Sequence, residues 1–219
     1  MKKALILLLA AVANAGASTI LIDFGTTNTT GTPSYWNNFN ILTDEASFPL
    51  FDTSGPGPGN TTYFLSLSGG AILNVPDNPT TVATTYNPFT PTTVLSDAVY
   101  QTAPRTFTLS GLLPNVAYTI TFFSYVSRDS PRDTVVSIPG QTSMTLRASG
   151  DPTAAFSSGG DIATTQPIVP GVGGTIPITV TNLNGSWILS GMEITYAVPE
   201  PATAVLSALG LIPLLRRRR

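Results

Sequence analysis

The residues best suited to hold a ligand are Tyr35, Trp36, Asn37, Asn38 and Phe39. A sugar ring offers apolar faces and a rim of hydroxyls, and aromatic plates beside amide side chains match both surfaces. The same five residues have a second reading: Trp36 and Phe39 plug the end of a β-sandwich while the asparagines cap loop backbone. Trp187, near Asn182 and Asn184, poses the same pair of alternatives. Asp129 and Asp133, in the run R-D-S-P-R-D over 128–133, are the candidates for holding calcium with loop carbonyls. Each follows an arginine directly, so the competing reading is a self-neutralised, solvated loop. Asp151 and Asp161 bracket another loop but fit no EF-hand pattern. No metal site and no cofactor is assigned.

The residue types that are missing exclude much chemistry. The chain has no histidine and no cysteine. That removes the usual general base at neutral pH, the Ser-His and Cys-His nucleophile pairs, and the commonest zinc ligands. It also means that export brings no disulfides, so stability rests on packing. No nucleophile elbow, zinc-protease helix, phosphate loop or dinucleotide fingerprint is present. Glycoside hydrolysis needs two carboxylates roughly 5–9 Å apart across a cleft, and nothing in the spacing of the acids selects a pair. No catalytic residue is assigned, and the expectation is a protein that is not an enzyme.

Charge is sparse and unevenly placed. Charged residues make up 10% of the chain, against about 25% in ordinary globular domains. Between residues 18 and 197 lie four arginines (Arg105, Arg128, Arg132, Arg147), no lysine and eleven acids, a balance of −7 that the formal −2 of the whole chain conceals. A body of that sign is a poor partner for nucleic acid or an anionic membrane. Its solubility must come from Thr, Ser and Asn.

The positive charges concentrate at the ends. Lys2 and Lys3 precede an apolar run over 4–12 and a small-residue site, Ala15-Gly16-Ala17. This is the layout of a removed signal peptide, cut after Ala17 or, alternatively, after Ala15. At the other end Val198-Pro199-Glu200-Pro201 is a stiff extended spacer, since each proline fixes its own φ and restrains its predecessor. Residues 202–215 carry no charge and are mostly Ala, Leu, Val and Ile; Arg216, Arg217, Arg218 and Arg219 follow. As a helix the apolar stretch covers roughly 21 Å at about 1.5 Å per residue, short of a hydrocarbon core of about 30 Å. Snorkelling arginines and local thinning make up the difference, with the arginines on the cytoplasmic side.

These last 22 or so residues resemble the PEP-CTERM sorting signal in order and position. The resemblance implies recognition by exosortase, a membrane-embedded cysteine protease or transpeptidase. It assigns Pro199, Glu200 and Pro201 as recognition residues and Arg216 to Arg219 as retention charges. It further implies transient insertion in the inner membrane, cleavage near the Pro-Glu-Pro motif, and delivery to the cell surface or matrix. An ordinary tail anchor or a frayed basic terminus is the alternative.

The organisation expected is therefore three parts: a signal peptide over 1–17, one β-sandwich domain over 18–197 and a sorting signal over 198–219. About 180 residues suffice for one sandwich with a real core. Period-two alternation places Ile20, Ile22 and Phe24 on one face, Tyr63, Leu65 and Leu67 on another, and Ile176, Ile178 and Val180 on a third. Residues 105–109 and 116–125 read as the clearest strand pair, joined by a Gly-, Pro- and Asn-containing corner. Pro139-Gly140 marks a hairpin, Asn184-Gly185 another, and Pro177 suggests an edge strand. Residues 92–100 read as strand or helical turn, and 149–174 as a long loop with room for one short strand at Ala154 to Phe156. The sum is an all-β, antiparallel sandwich or jelly roll, whose only helices are the two hydrophobic end segments.

The body also resembles, diffusely, the galactose-binding-like jelly-roll domains of exported bacterial proteins. Ile22-Asp23-Phe24-Gly25, Trp36-Asn37-Asn38, Leu109-Ser110-Gly111-Leu112 with Pro114-Asn115 and Tyr118, and Gly191-Met192-Glu193-Ile194 carry that resemblance. It implies carbohydrate contact for some relatives. Three functions stay open: a non-enzymatic surface or matrix protein packing into or binding exopolysaccharide, a lectin-like module with a defined sugar site at Tyr35 to Phe39, and a carboxylate-dependent glycan hydrolase.

Overall fold

A computed structural model describes residues 17–25, 35–39, 47–52, 63–76, 97–124, 132–148 and 162–197. Contacts divide the chain into two units, one of Ser18–Tyr196 and one of Met1–Ala17 with Ala197–Arg219. The residues read as signal helix, sorting motif and arginine cluster, Ala15 among them, lie outside the described residues; Ala17 is described and opens the first strand.

Fourteen strands are described: β1 (Ala17–Phe24), β2 (Trp36–Phe39), β3 (Ser47–Leu50), β4 (Tyr63–Ser68), β5 (Leu73–Pro76), β6 (Asp97–Gln101), β7 (Arg105–Ser110), β8 (Tyr118–Phe123), β9 (Arg132–Ser137), β10 (Met144–Ala148), β11 (Ile162–Thr164), β12 (Ile176–Asn184), β13 (Trp187–Leu189) and β14 (Gly191–Ala197). No helix occurs among the described residues. The strands form a five-stranded sheet, β11-β8-β14-β1-β2, a six-stranded sheet, β10-β9-β12-β7-β4-β3, and a small third sheet, β13-β6-β5.

The alternating residues do what their period requires. Ile20, Ile22 and Phe24 from β1, Ile120 and Phe122 from β8, and Ile194 from β14 face Leu65, Phe107, Val136, Ile178 and Val180 of the six-stranded sheet in one continuous core. The body is thus an all-β sandwich. A chain of edge-to-face rings ties its sheets together: Phe39 to Phe24 at 5.5 Å, Phe24 to Phe107 at 5.4 Å, and Phe107 to Trp187 at 6.2 Å. Each such contact is worth about 0.5–1.5 kcal/mol beyond the area buried.

Several local expectations are corrected. Residues 105–109 and 116–125 are not a pair. β7 lies between β12 and β4 while β8 lies between β11 and β14, so their connection crosses from one sheet to the other. Tyr118 pins that corner by accepting a 2.9 Å hydrogen bond at its hydroxyl from the Leu113 N–H, the same kind of clasp as a tyrosine corner. β12 is not an edge strand either; it sits between β9 and β7. Its ladder to β9 begins only at Thr179, so Pro177 has a partner strand on one side, β7, and costs the sheet little there. Asn184-Gly185 does not close a hairpin: β12 is in the six-stranded sheet and β13 pairs with β6 in the third. Gly185, at φ 73°, makes the turn between sheets. The sandwich is not purely antiparallel, because β1 and β2 run parallel, with Leu21 opposite Trp36 and Phe24 opposite Phe39.

Other expectations hold. β9 and β10 form the hairpin across Pro139-Gly140, with Gly140 at φ 79°. Residues 97–101 are strand. The expected loop over 149–174 is corrected in part: Ile162–Thr164 forms β11, and Ile168 exchanges two 2.8 Å backbone hydrogen bonds with Tyr118, while the short strand expected at Ala154 to Phe156 lies outside the described residues. Strand pairing there was not signalled by composition, because a three-residue strand carries too little period to see.

Candidate functional site

The sandwich has two lateral seams, each where an end strand of one large sheet meets an end strand of the other. At the first, β2 faces β3; at the second, β10 packs beside β11. The two seams are built differently: the first is closed by side chains and the second holds a cleft.

The first seam contains the aromatic and asparagine cluster. Phe39 is fully buried and rings with Phe24, Phe107 and Phe48 at 5.5, 6.0 and 5.8 Å. Phe48 belongs to β3, so this contact closes the seam with hydrocarbon. Asn37, also buried, donates from Nδ2 to the carbonyls of Leu21 at 2.9 Å and Phe51 at 2.7 Å, and its Oδ1 accepts the Phe51 N–H at 2.7 Å. Its amide stands in for a missing piece of backbone ladder between β2 and the end of β3. Trp36 is buried, 6% exposed, beside its cross-strand neighbour Leu21. Asn38 is half-buried opposite Asp23. Of the five residues Tyr35 alone is exposed, at 45%. The geometry of Phe39 and Asn37 is that of a plug and a cap.

Trp187 is likewise in the core; its indole N–H donates to the Ala103 carbonyl at 2.8 Å and its ring meets Phe107. Asn182 turns inward on its own corner, donating to the Gly185 carbonyl. Asn184 donates to Asp133 at 3.1 Å, and Arg147 lies 3.8 Å from the other Asp133 oxygen. Asp133 is therefore held by an amide and a guanidinium, and no group of three acidic ligands suited to a metal occurs among the described residues. Asp129, Asp151 and Asp161 lie outside the described residues.

One carboxyl is set apart. Glu193 on β14 stands opposite Thr121 on β8, which in turn shares a 3.0 Å hydroxyl contact with Thr164 on β11. Burial pushes the Glu193 carboxyl above its ordinary range, because the charged form loses water there.

The second seam is open. A cleft of about 390 Å³ lies between the β9–β10 turn and the segment after β11, lined by Gly140, Gln141, Thr142, Met144, Thr164, Thr165 and Gln166. No charged side chain is among them. Its back wall is fixed: Thr165 donates its N–H to the Ile120 carbonyl at 2.9 Å and accepts the Ile120 N–H at its hydroxyl at 3.0 Å. Gln141 is held by its N–H on the Ile138 carbonyl at 3.0 Å. Sequence reasoning passed over these residues. The only signal was position: Gln141-Thr142 follows a Pro-Gly turn, and Gln166 precedes Pro167.

No protein-family model matches the chain, and no curated protein sequence matches it. Among solved structures it is similar to the extracellular domain of ANXUR2 from Arabidopsis thaliana, at 13% identity and a TM-score of 0.42, covering 82% of this chain and 41% of that one. It is similar also to the plant receptor-like kinase FER, at 16% identity and a TM-score of 0.38 over 83% of this chain and 42% of that one. A third is TmCBM61 in complex with β-1,4-galactotriose, at 18% identity and a TM-score of 0.25 over 62% and 83% of the respective chains. The chain thus spans about two-fifths of the length of the plant proteins it matches.

Proposed function

We propose that the protein is an exported, non-enzymatic component of the cell surface or extracellular matrix. In this reading its ends are addresses, its tail is processed by an exosortase-type membrane enzyme, and its body packs into or binds exopolysaccharide as a jelly-roll sandwich. The observation that carries the sorting half is the order of residue types along the tail sequence: Pro199-Glu200-Pro201, an uncharged apolar stretch, then Arg216 to Arg219. An apolar segment too short to span comfortably, stopped by four fixed charges, stays where a membrane enzyme can reach the stiff motif before it.

The body half rests on its polar chemistry. The outer surface uses threonine, serine, asparagine and glutamine rather than charge, and two of the described acids are engaged by the fold: Asp52 accepts from Ser18 at 3.2 Å, and Asp133 is shared by Arg147 and Asn184. Hydroxyl and amide surfaces exchange hydrogen bonds with neutral polyols without the desolvation cost that charged groups carry. The test is incubation of the protein recovered from the cell surface with the exopolysaccharide of the same cells. Co-sedimentation without release of reducing sugar ends is expected. Reducing ends that appear with the protein, and vanish on one Asp→Asn or Glu193→Gln change, would establish the hydrolase instead.

A further inference from the structure

The two seams suggest where the body meets sugar. The first is filled by Phe39 and Phe48 and cross-braced by Asn37. The second is an open cleft of about 390 Å³, within the range of small-ligand pockets, about 300–1,000 Å³. We propose that the cleft between β10 and β11, edged by Gln141, Thr142, Thr164 and Gln166 around Met144, binds a neutral hexose unit of a polysaccharide chain.

This inference rests on the polysaccharide reading above and specifies its site. Three observations point to this class of ligand. The edge is made of two carboxamides and two hydroxyls, each able both to donate and to accept, which is what a ring of hydroxyls needs. Met144 is half-buried and polarisable, a floor for the apolar face of a pyranose. No cation is among the lining residues, so a uronate or sulfated sugar would lose water with no counter-charge to receive it.

The frame is rigid where it must be and accessible where it can be. Thr165 is locked to Ile120 by hydrogen bonds in both directions, and the Pro139-Gly140 turn fixes the approach of Gln141. Thr142, Thr164 and Gln166 are exposed and Gln141 half-buried. The cleft lies where the end strands of the two large sheets, β10 and β11, meet.

The experiment is affinity electrophoresis of the surface-recovered protein through gels containing dextran, a neutral galactan, polygalacturonate or the exopolysaccharide of the producing cells. Retardation by a neutral polymer and not by polygalacturonate is expected. It should be unchanged in about 1 M sodium chloride, where the screening length is about 3 Å. The Gln141→Ala/Gln166→Ala pair should weaken it at least about tenfold, the worth of two neutral hydrogen bonds. Gln166→Ala alone, at an exposed position, should weaken it by a smaller factor, and Tyr35→Ala should leave it intact. Full retardation in the double variant, with loss in Tyr35→Ala, would overturn the cleft and leave polysaccharide binding standing. Preference for polygalacturonate would overturn the neutral specificity. Retardation by none of the four polymers would remove the site and the polysaccharide reading together.

Discussion

Asn37 and Phe51 exchange two hydrogen bonds of 2.7 Å, one from the Asn37 amide to the Phe51 carbonyl and one from the Phe51 N–H to Asn37 Oδ1. With the third bond to the Leu21 carbonyl, this side chain joins β1, β2 and the end of β3. Replacement by alanine leaves one backbone donor and two carbonyls at a closed seam. The expected loss is about 2–3 kcal/mol, read as a lower denaturant midpoint at unchanged slope. Asn37→Asp, which keeps the shape but removes both donors, should lose nearly as much. A change below about 0.5 kcal/mol in either variant would show that Asn37 is not a structural brace.

The corner between the sheets depends on one hydroxyl. Tyr118 is fully buried, with its oxygen on the Leu113 N–H, and burial raises its phenol further above 10. Tyr118→Phe keeps the ring and its contact with Tyr196 at 5.1 Å. It should cost about 1 kcal/mol and, by amide hydrogen exchange, deprotect Leu113 ahead of the sheet amides.

Gly174 braces the same corner from the other side. It sits at φ 66°, and a Cβ there would overlap the Leu112 carbonyl oxygen, while its own carbonyl accepts the Leu112 N–H at 3.0 Å. Backbone, not a movable side-chain tip, occupies the space. Gly174→Ala should cost about 2 kcal/mol or more, whereas Gly171→Ala, with nothing within 4 Å, should be nearly neutral. Equal melting temperatures for the two variants would contradict this placement.

Glu193 predicts a pH dependence with a definite sign. Its carboxyl is raised above 4.5 by burial. Between its unfolded and folded pKa values the native state holds more protons than the unfolded chain, so stability falls as pH rises through that window and is flat above it. Glu193→Gln should remove this slope and equal or exceed the wild type in stability at neutral pH. A variant that loses stability at pH 7 would mean that the charged carboxylate is the form the fold uses.

Much of the framework was legible because burial on one face leaves a period of two. Tyr63, Leu65 and Leu67, and Ile176, Ile178 and Val180, alternate in sequence and are buried in the structure. The β9–β10 hairpin was legible because Pro139-Gly140 is local chemistry. Partner choice was not. That β7 joins β12 and β4 while β8 joins β11 and β14 depends on residues far apart in sequence, and a Gly-Pro-Asn corner looks the same whether it closes a hairpin or crosses a sandwich. The parallel course of β2 beside β1 was hidden for the same reason. At the site the ambiguity was physical: Trp36 and Phe39 offer the same flat apolar surface to a sugar or to a core. Only the rings of Phe24, Phe48 and Phe107 around Phe39 decide its case. The cleft residues Gln141 and Gln166 carry no pattern at all, being single polar side chains, one after a Pro-Gly turn and one before a proline.

The address labels at the two ends are the claim on which the rest depends, and the intact mass of the protein recovered from the cell surface tests them directly. The account predicts a chain that begins at Ser18, or at Gly16 with the alternative cut, and ends near Pro199-Glu200-Pro201, with or without an attached group. A surface protein that still carries its apolar tail through Arg219 would contradict it.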